Sequence, residues 1–404
     1  MRVAAFLAIA LCLSVVHADI YAVLLAGSNE YYNYRHQADI CHAYQTLITK
    51  GIKPSNIITM AYDDIANNSE NPFPGKIFNK PDGDDVYAGC VIDYRGADVT
   101  AANFLAVLTG DSTTTGGKRV LNSTENDMVF INFADHGGTG LIAVIDDYLY
   151  ADQLLDALKT MHTKKMYKKL VFYMEACESG SMFTNLPTDL NIFAHTAANP
   201  DESSWGFYCP PDDVVQGQEI NSCLGDTWSI SWMEDSDAND ITKESLEDQY
   251  NAILKRVDQS HPQLYGDQTM KTDKLSLYQG DKTKQMTWAE WLYYYFLGYK
   301  QAKAHQEDSR KGKLVHLKAK YERTQTLSSF KGYLSESESI KNFDKTFEKI
   351  DGKFNSTSLY KTSVTLPTDL SCLRKAVQTF ESSCMKFTDY GLKYTKNLAH
   401  LCYR

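Results

Sequence analysis

The chain has no surplus of basic residues and, beyond its N-terminus, no long apolar run. Its 404 residues carry 41 Lys and Arg against 51 Asp and Glu, a formal net charge of −10. Proteins that bind nucleic acids usually show the opposite balance, so no nucleic-acid partner is expected. After residue 18 no segment reaches the roughly 20 consecutive apolar residues that span a bilayer, so no membrane anchor is expected. Internal repeats are also lacking, which argues against a repeat architecture.

The apolar run at the N-terminus has the pattern of a secretory signal peptide. Arg2 precedes an apolar stretch from Val3 to Val16, and the small residue Ala18 offers a cleavage point. Because the run is too short to span a bilayer, residues 1–18 are predicted to be a signal peptide; the alternative is an N-terminal core helix. The mature chain is then expected in the secretory pathway, either secreted or in a lysosome or vacuole, where disulfides are permitted.

Nine cysteines, one of them in the predicted signal peptide, are candidates for disulfides. Cys209 and Cys223 bracket a loop rich in Pro, Gly and Asp and are predicted to form a bridge that pins it. Cys41 and Cys90 are expected to be buried and free. At most one local bridge can form among the last three cysteines: Cys372, Cys384 and Cys402. Three Asn-x-Ser/Thr sequons predict glycosylated surface loops, at Asn67, Asn122 and Asn355.

Charge is divided unevenly along the chain. Residues 1–280 hold 19 basic and 38 acidic residues, whereas residues 281–404 hold 22 basic and 13 acidic residues. An acidic body joined to a basic tail suggests that the two dock on each other; the alternative is two independent solvated surfaces. The sequence pattern also changes past Gly280, to an aromatic and then highly charged segment, which places a predicted domain boundary near residues 280–287.

The segment from Lys169 to Ser181 is the clearest pointer to chemistry. Leu170–Met174 is a short apolar run typical of a strand buried on both faces, and polar residues with Cys177 follow it directly. Ligands and reactive groups gather at the carboxyl ends of strands in an open α/β sheet. The alternative is that Cys177 has no chemical role and is a small buried apolar residue.

A second apolar strand, Met128–Ala134, ends in the same abrupt way, with Asp135, His136 and Gly137. Histidine titrates near neutrality and can activate a cysteine thiol. Gly137 leaves room for a backbone N–H to reach a developing oxyanion. Two successive βα units would bring His136 and Cys177 to neighbouring strand ends. The alternative is that His136 is an ordinary loop residue and Cys177 an ordinary core residue, which is the commoner case when either motif occurs alone.

Alternating strands and helices predict an α/β fold with a mainly parallel sheet. The predicted strands are Ile20–Gly27, Ile57–Tyr62, Met128–Ala134, Leu170–Met174 and Asn191–Ala197. The predicted helices are Ala38–Lys50, Thr100–Thr109, Ala151–His162, Thr227–Asp235 and Thr242–Ser260. Residues Asn67–Asp93 are expected to form a long ordered loop. Beyond the strongly aromatic Trp288–Tyr299, amphipathic helices are predicted at Lys341–Gly352 and Cys372–Cys402, after a polar break at Ser335–Ser339.

Several motifs, in order along residues 20–280, resemble those of one family. They include AGSNEYYNYRHQADICHAY, DHGGTG, EACESGSM, TAANPDESSW and LGDTWSISWMEDSD. The chain resembles the legumains, the asparaginyl endopeptidases among the caspase-like cysteine peptidases. The resemblance implies a caspase-like, mainly parallel sheet flanked by helices over residues 19–280. It also implies an activation segment over residues 281–310 and an all-α prodomain over residues 311–404 that caps the active site.

The resemblance assigns roles to individual residues. Cys177 matches the nucleophile, His136 the general base and acid, Asn33 the residue that orients the histidine, and Gly137 the oxyanion donor. Asp135 matches a residue that can form a succinimide in the family. The pocket for the substrate side chain matches Arg35, His36, Glu175, Ser203, Ser204 and Asp226. This set suits a primary amide, which both donates and accepts hydrogen bonds and so requires a cationic donor and carboxylate acceptors.

The implied activity is cleavage after Asn, and after Asp at acidic pH, by an enzyme made as a zymogen without metal or cofactor. Expected partners are peptide substrates, the chain's own prodomain and cystatin-type inhibitors. Alternatives are a peptide ligase of the same fold, a GPI-transamidase-like enzyme and a catalytically silent homologue. Trp205–Phe207 and Ser231 are the positions expected to decide between hydrolysis and ligation of the acyl-enzyme, and the bulky Phe207 favours hydrolysis. No Asn lies between Asn251 and Asn342, so self-cleavage near the boundary would need an Asp, such as Asp281 or Asp308, or another protease.

Overall fold

A computed structural model describes residues 18–282, 304–353 and 359–403. The predicted signal peptide, the aromatic Trp288–Tyr299 segment and the sequon at Asn355 lie outside the described residues. The two other sequon asparagines, Asn67 and Asn122, are exposed, as glycosylation requires. No helix within the described ranges is long and apolar enough to cross a bilayer.

The chain forms a central sheet of six strands and three small sheets. In chain order the strands are β1 Ile20–Ala26, β2 Ile57–Met60, β3 Met128–Ala134, β4 Gly137–Gly138, β5 Leu141–Val144, β6 Asp147–Tyr150, β7 Lys169–Glu175, β8 Ile192–Thr196, β9 Trp205–Phe207, β10 Val214–Val215, β11 Gln218–Glu219, β12 Gly225–Asp226, β13 Gln263–Gly266 and β14 Glu307–Asp308. The central sheet has the order β13-β8-β7-β3-β1-β2, and only β13 is antiparallel to its neighbour. The predicted α/β class with a mainly parallel sheet is confirmed.

Helices cover both faces of the central sheet. In order they are α1 Tyr34–Thr49, α2 Ala101–Thr109, α3 Ala151–Thr163, α4 Thr227–Ala238, α5 Leu246–Ile253, α6 Ser276–Gln279, α7 Gly312–Thr324, α8 Leu327–Lys353, α9 Ser371–Ser383 and α10 Thr395–Cys402. Alternate residues of β3 enter two separate apolar cores, one shared with α2 and α3 and the other with α1 and α4. This double coverage explains why the strands read as continuous apolar runs.

The C-terminal helices share one of these cores with the body. Leu370 and Leu373 belong to the same buried cluster as the strands. A Cβ built on Gly140 would lie 3.0 Å from Leu366, so the C-terminal region packs closely on the loop after β4. The region is helical, as predicted, and it is docked on the body.

Four predictions about the extent of helical segments are wrong. Helix α1 begins at Tyr34, four residues before the predicted start, and the predicted Thr242–Ser260 helix is only α5. The latter begins with a capping box at Ser245 and Asp248, which fixes its start later than predicted. Ser335–Ser339 is no break and lies inside α8, because the segment contains neither Pro nor Gly. Cys372–Cys402 is two helices, since Glu381 accepts a hydrogen bond from the backbone N–H of Phe387 and turns the chain back.

The described residues contain three disulfides. Cys209–Cys223 is confirmed. The expectation that Cys41 and Cys90 are free is wrong, because they are bonded to each other across 49 residues and tie the long loop after β2 to α1. Their separation along the chain hides the pairing from local sequence reasoning. The last three cysteines give one bridge, Cys372–Cys402, and leave Cys384 exposed and free.

Candidate active site

The ends of β3 and β7 lie side by side at one edge of the central sheet. The two strands are parallel neighbours, with Ala134 opposite Glu175. A Cβ built on Gly137 would lie only 2.4 Å from the carbonyl oxygen of Cys177, so glycine is the residue that permits this approach. The structure therefore brings the segments that carry His136 and Cys177 together, as predicted.

Cys177 is buried in a tight turn. Its Sγ lies 3.3 Å from the backbone N–H of Ser204, which donates to it, and 3.7 Å from the Ser204 hydroxyl. Glu178, the next residue, has φ 48°, a left-handed conformation that is uncommon outside glycine. Burial raises the pKa of the Cys177 thiol to about 12, so in this state the sulfur is protonated.

His136 is oriented by Asn33. The Asn33 amide nitrogen donates to the carbonyl of Asn29 at 3.0 Å, which turns its oxygen toward His136 Nε2 at 2.9 Å. His136 Nε2 therefore carries the proton, and Nδ1 is left unprotonated. Nδ1 is buried and has no hydrogen-bond partner among the described residues. Burial lowers the pKa of His136 to about 4, so the ring is neutral and Nδ1 is free to accept a proton.

The predicted side-chain pocket contains one cation and two free carboxylate oxygens. The buried Arg35 donates through Nε to Asp226 Oδ1 at 2.9 Å. Glu175 Oε2 accepts from both the backbone N–H and the hydroxyl of Ser229, each at 3.0 Å. The other carboxylate oxygens, Glu175 Oε1 and Asp226 Oδ2, have no hydrogen-bond partner within the described part of the chain.

The remaining predicted residues line the same region. Ser204 lies beside the sulfur, and Ser203 contacts the C-terminal region through Arg310. His36 stacks edge-on against His136, and its Nδ1 lies 2.6 Å from the Ser28 hydroxyl. Burial raises the pKa of Asp135 well above its ordinary value. All the predicted site residues therefore converge on one edge of the sheet.

One set of metal-type donors occurs in the part of the chain that the structure describes. Donor atoms of His36, Asp135 and His136 lie within 4.8 Å of one another. His36 Nδ1 already contacts Ser28, and His136 Nε2 already contacts Asn33. One nitrogen of each histidine is therefore already engaged by a neighbouring side chain.

The segment around Ser309 fills the pocket. Strand β14 pairs antiparallel with β9, with Asp308 opposite Trp205. The Ser309 hydroxyl donates to Asp226 Oδ1 at 3.1 Å, and Arg35 donates to the Ser309 carbonyl oxygen at 3.3 Å. The pocket groups that suit a substrate amide are thus partly engaged by the chain itself.

Two further C-terminal residues contact the dyad region. Arg310, which is largely buried, forms an ion pair with Glu178 and a hydrogen bond with Ser203. Asp389 Oδ2 lies 3.2 Å from His136 Nε2. Sequence reasoning missed Ser309, Arg310 and Asp389; the opposite charges of body and tail signalled docking but not which residues make the contacts.

Comparisons with known proteins identify the family of the chain. A profile of the Peptidase C13 family matches residues 20–281, and one described as "Legumain, prodomain" matches residues 337–404. The vacuolar-processing enzyme of Vicia sativa is 42% identical, over 95% of this chain and 82% of that protein. The vacuolar-processing enzyme delta-isozyme of Arabidopsis thaliana is 43% identical, over 95% of this chain and 86% of that protein. The legumain of Canavalia ensiformis is 39% identical, over 95% of this chain and 84% of that protein.

Among solved structures, caspase-1 from Spodoptera frugiperda is similar over 67% of this chain and 92% of its own, with 12% identity and a TM-score of 0.38. The family profile covers more than half of the chain, and the relatives match it nearly end to end. The chain therefore belongs to the peptidase C13 family and is a cysteine endopeptidase with a legumain-type prodomain at its C-terminus.

Proposed function

We infer that this chain is the zymogen of an endopeptidase that cleaves after asparagine. The observation that carries the inference is the pocket beside Cys177, where a buried guanidinium lies with two carboxylate oxygens that have no hydrogen-bond partner among the described residues. A carboxamide matches this set, because its oxygen accepts from Arg35 and its NH₂ group donates to Glu175 and Asp226. The names of the relatives, legumain and vacuolar-processing enzyme, support the same activity.

Each site residue then has a role in acyl transfer. The substrate pairs with β9 as β14 does, and its Asn side chain enters the pocket. His136 Nδ1 takes the thiol proton, and the sulfur attacks the scissile carbonyl while the Gly137 N–H stabilises the oxyanion. The protonated His136 gives its proton to the leaving amine, which leaves an acyl-enzyme. Water, deprotonated by His136, then releases the product acid and restores Cys177.

Selectivity follows from the cost of leaving buried polar groups unpaired. An apolar side chain in this pocket would leave the substrate-facing N–H of Arg35, Glu175 Oε1 and Asp226 Oδ2 without a hydrogen bond to the substrate, which disfavours it by roughly 10⁴-fold. A substrate Asp would meet Asp226 as a like charge at neutral pH. Burial and the charge of Asp226 already raise the pKa of Glu175 well above its ordinary value, so the pocket disfavours a further negative charge. When protonated, the substrate Asp resembles Asn, so cleavage after Asp is expected under acidic conditions only.

The C-terminal region keeps this enzyme inactive. Ser309 occupies the pocket, Arg310 pairs with Glu178 beside the nucleophile, and Asp389 contacts His136. The backbone carbonyl of Ser309 faces Arg35. A peptide that is to be cleaved needs this oxygen near the Gly137 N–H, so the segment binds in the pocket without being cleaved. The predicted division into peptidase domain, activation segment and prodomain accords with these contacts and with the two family matches.

The secretory route, delivery to a vacuole or lysosome and inhibition by cystatin-type proteins are parts of the same proposal. The names of the plant relatives support a vacuolar destination. The ligase alternative has no specific support here, since Phe207 is buried against Tyr208 and the Ser231 hydroxyl donates to its own helix at Thr227.

The test is acid incubation of the full chain, followed by mass spectrometry and a peptide panel that varies the residue before the cleaved bond. We expect loss of the C-terminal region, cleavage after Asn near neutrality and additional cleavage after Asp in acid. A Cys177→Ala variant is the control and should cleave nothing. Preference for a basic or apolar residue, or transfer to an added amine in place of hydrolysis, would contradict the proposal.

A further inference from the structure

A row of buried polar side chains leads from the pocket away from the reacting atoms. The backbone N–H of Asp226 donates to Asp39 Oδ2 at 3.1 Å, and Asp39 is fully buried on α1. The amide nitrogen of Asn79 donates to Asp39 Oδ1 at 2.7 Å and to the carbonyl of Leu224 at 3.0 Å. Asp39 and Asn79 therefore hold the backbone of β12, the strand that carries Asp226.

The row continues through His42 to the surface. His42 Nδ1 lies 2.7 Å from Asn79 Oδ1, and its Nε2 lies 2.9 Å from Asp237 Oδ2 on α4. The His42 side chain is 11% exposed, whereas that of Asp237 is 42% exposed. The row thus connects a water-accessible carboxylate to the floor of the pocket.

The hydrogen bonds fix the protonation state of His42. Because the Asn79 nitrogen already donates to a backbone carbonyl, its oxygen must be the atom that faces His42, so Nδ1 is a donor. The carboxylate of Asp237 only accepts, so Nε2 is a donor too. A ring that donates from both nitrogens is an imidazolium.

The packing at Gly225 shows how tightly the row is joined to the pocket. A Cβ at this position would lie 2.5 Å from Asn79 Nδ2 and 2.7 Å from Asp39 Oδ1. Displacement of either side chain would therefore be transmitted to the peptide between Gly225 and Asp226. This contact is independent of the hydrogen bonds and points to the same coupling.

We propose that His42, as an imidazolium, is a positioning residue for the pocket that reads the substrate side chain. It holds Asn79, and through Asn79 and Asp39 it fixes β12 so that Asp226 faces Arg35 and the substrate amide. Loss of the His42 proton removes one donor from the row and loosens Asp226, which weakens substrate binding and leaves the cysteine–histidine chemistry intact. The substrate in this inference is the asparagine peptide of the proposed function.

The charges around His42 set the pH at which this occurs. Burial lowers the pKa of His42, but the hydrogen bond and charge of Asp237, the Asn79 bond and the charge of Glu234 outweigh burial and raise it. Asp237 and Glu234 both come from α4, and Asn79 comes from the loop after β2. Since the pKa is raised above the ordinary value of a histidine, the proton is lost on the alkaline side of that value, where binding is expected to weaken.

The discriminating variants are Asp237→Asn and His42→Gln in the full chain, activated by acid like the parent. Asp237→Asn keeps an acceptor but removes the charge. In this variant the KM for an Asn peptide should begin to rise at a pH that is lower by about one unit or more, while kcat stays unchanged. His42→Gln should raise KM roughly 3- to 10-fold at neutral pH, the range of one lost hydrogen bond, and abolish the alkaline rise. His162→Gln, at an exposed histidine on α3, is the matched control and should change neither constant.

An NMR titration of the His42 ring in the full chain gives a second readout. The parent ring should titrate above the ordinary pKa of a histidine, and at a lower pH in Asp237→Asn. A parent that fails to cleave Asn peptides would refute the proposed function, while this titration would still test the row. The inference is overturned if His42→Gln keeps the parental alkaline rise in KM, or if kcat falls with KM unchanged. If His42→Gln does not fold, the partly exposed Asp237→Asn alone decides.

Discussion

Within the body of the molecule, the hydrogen bond that orients His136 comes from the Asn33 amide, and Asp389 of the C-terminal region contacts the same nitrogen. Asn33 Oδ1 accepts from Nε2 at 2.9 Å, and this contact leaves Nδ1 as the basic nitrogen. Thiol and imidazole are both neutral in the capped state because burial raises the pKa of one and lowers the pKa of the other. The resting dyad is therefore not a thiolate–imidazolium pair.

Replacing Asn33 should separate orientation from binding. In Asn33→Ala the ring loses its acceptor and can rotate or change tautomer, so kcat for an Asn peptide should fall about 10- to 100-fold, part of the usual contribution of general acid–base catalysis. KM should change less than kcat, because Asn33 Oδ1 also accepts a long hydrogen bond from Arg35, at 3.4 Å. Asn126→Ala, at an exposed loop position, is the control. An unchanged kcat in Asn33→Ala would show that the ring is held by other contacts.

The residues of the dyad and pocket were predictable because each is local to a distinctive motif. Cys177 and His136 follow apolar strands directly, and the family motifs include Arg35 and Asp226. The contacts made by Asp389 were not predictable, since it is one of many acids in a helical tail. Only the tertiary fold selects it as the neighbour of His136.

At the scale of elements, β14 is the part of the tail that imitates a substrate. It adds a third strand to the sheet of β12 and β9, next to β9, and Ser309, which follows it directly, lies in the pocket. Serine is too short to span from Arg35 to both free carboxylate oxygens. This explains how a segment can occupy the pocket without matching it fully.

Substituting this serine should create a cleavage site. Ser309→Asn places the preferred amide where the chain has no Asn between Asn251 and Asn342. The new side-chain oxygen would accept from Arg35 in place of the backbone carbonyl of residue 309, which frees that carbonyl to turn toward Gly137. Mass spectrometry after acid incubation should then find a new fragment that ends at residue 309. Ser309→Gln, which adds one methylene, should give little of it. Absence of the fragment from the Asn variant would mean that this segment never adopts a cleavable path.

The Cys41–Cys90 disulfide fixes another element, the long loop after β2. Loop closure across 49 residues suggests a stabilisation of about 3–4 kcal/mol. The double variant Cys41→Ala/Cys90→Ala should therefore melt several degrees lower in a thermal scan. Cys384→Ala, which removes the exposed free thiol, should melt as the parent does. Equal melting temperatures for all three proteins would show that the loop is held without the bond.

Helix bounds were less predictable than strands. Buried strands such as β3 and β7 are continuous apolar runs whose ends are marked by polar residues. Helix α8 instead passes through a Ser- and Glu-rich segment whose composition looked like a break. Its buried residues Phe343 and Phe347 are anchored by tertiary packing, which a local pattern does not reveal.

At the scale of the whole molecule, ion pairs join the basic tail to the acidic body. Lys396 reaches Asp201 at 2.6 Å, and Arg374 reaches Asp152 at 2.8 Å. A third pair links Arg323 to the buried Asp213 inside the loop closed by Cys209–Cys223. The uneven charge in the sequence predicted this docking, but apolar contacts of α8 and α9 with the body contribute as well.

Acid should release the tail through His136. Burial lowers its pKa to about 4 in the capped state, against about 6.5 when exposed to water. The uncapped state therefore binds a proton that the capped state does not, and capping weakens as pH falls through this window. Glu178 acts in the opposite direction: burial raises its pKa to about 7, so its proton uptake favours the capped state. Release in acid requires the His136 contribution to exceed that of Glu178.

Hydrogen exchange of the backbone N–H groups in β14 and Ser309 measures this release in the intact chain. After correction for the pH dependence of chemical exchange, protection in a Cys177→Ala background should fall between about pH 6.5 and 4. Adding His136→Gln should flatten the fall, and adding Glu178→Gln should shift its onset to higher pH, because the opposing proton and the ion pair with Arg310 are both removed. The exposed His162→Gln is again the control. Protection that stays constant over this range in the parent background would mean that the histidine remains buried in acid and that the tail is released by proteolysis alone.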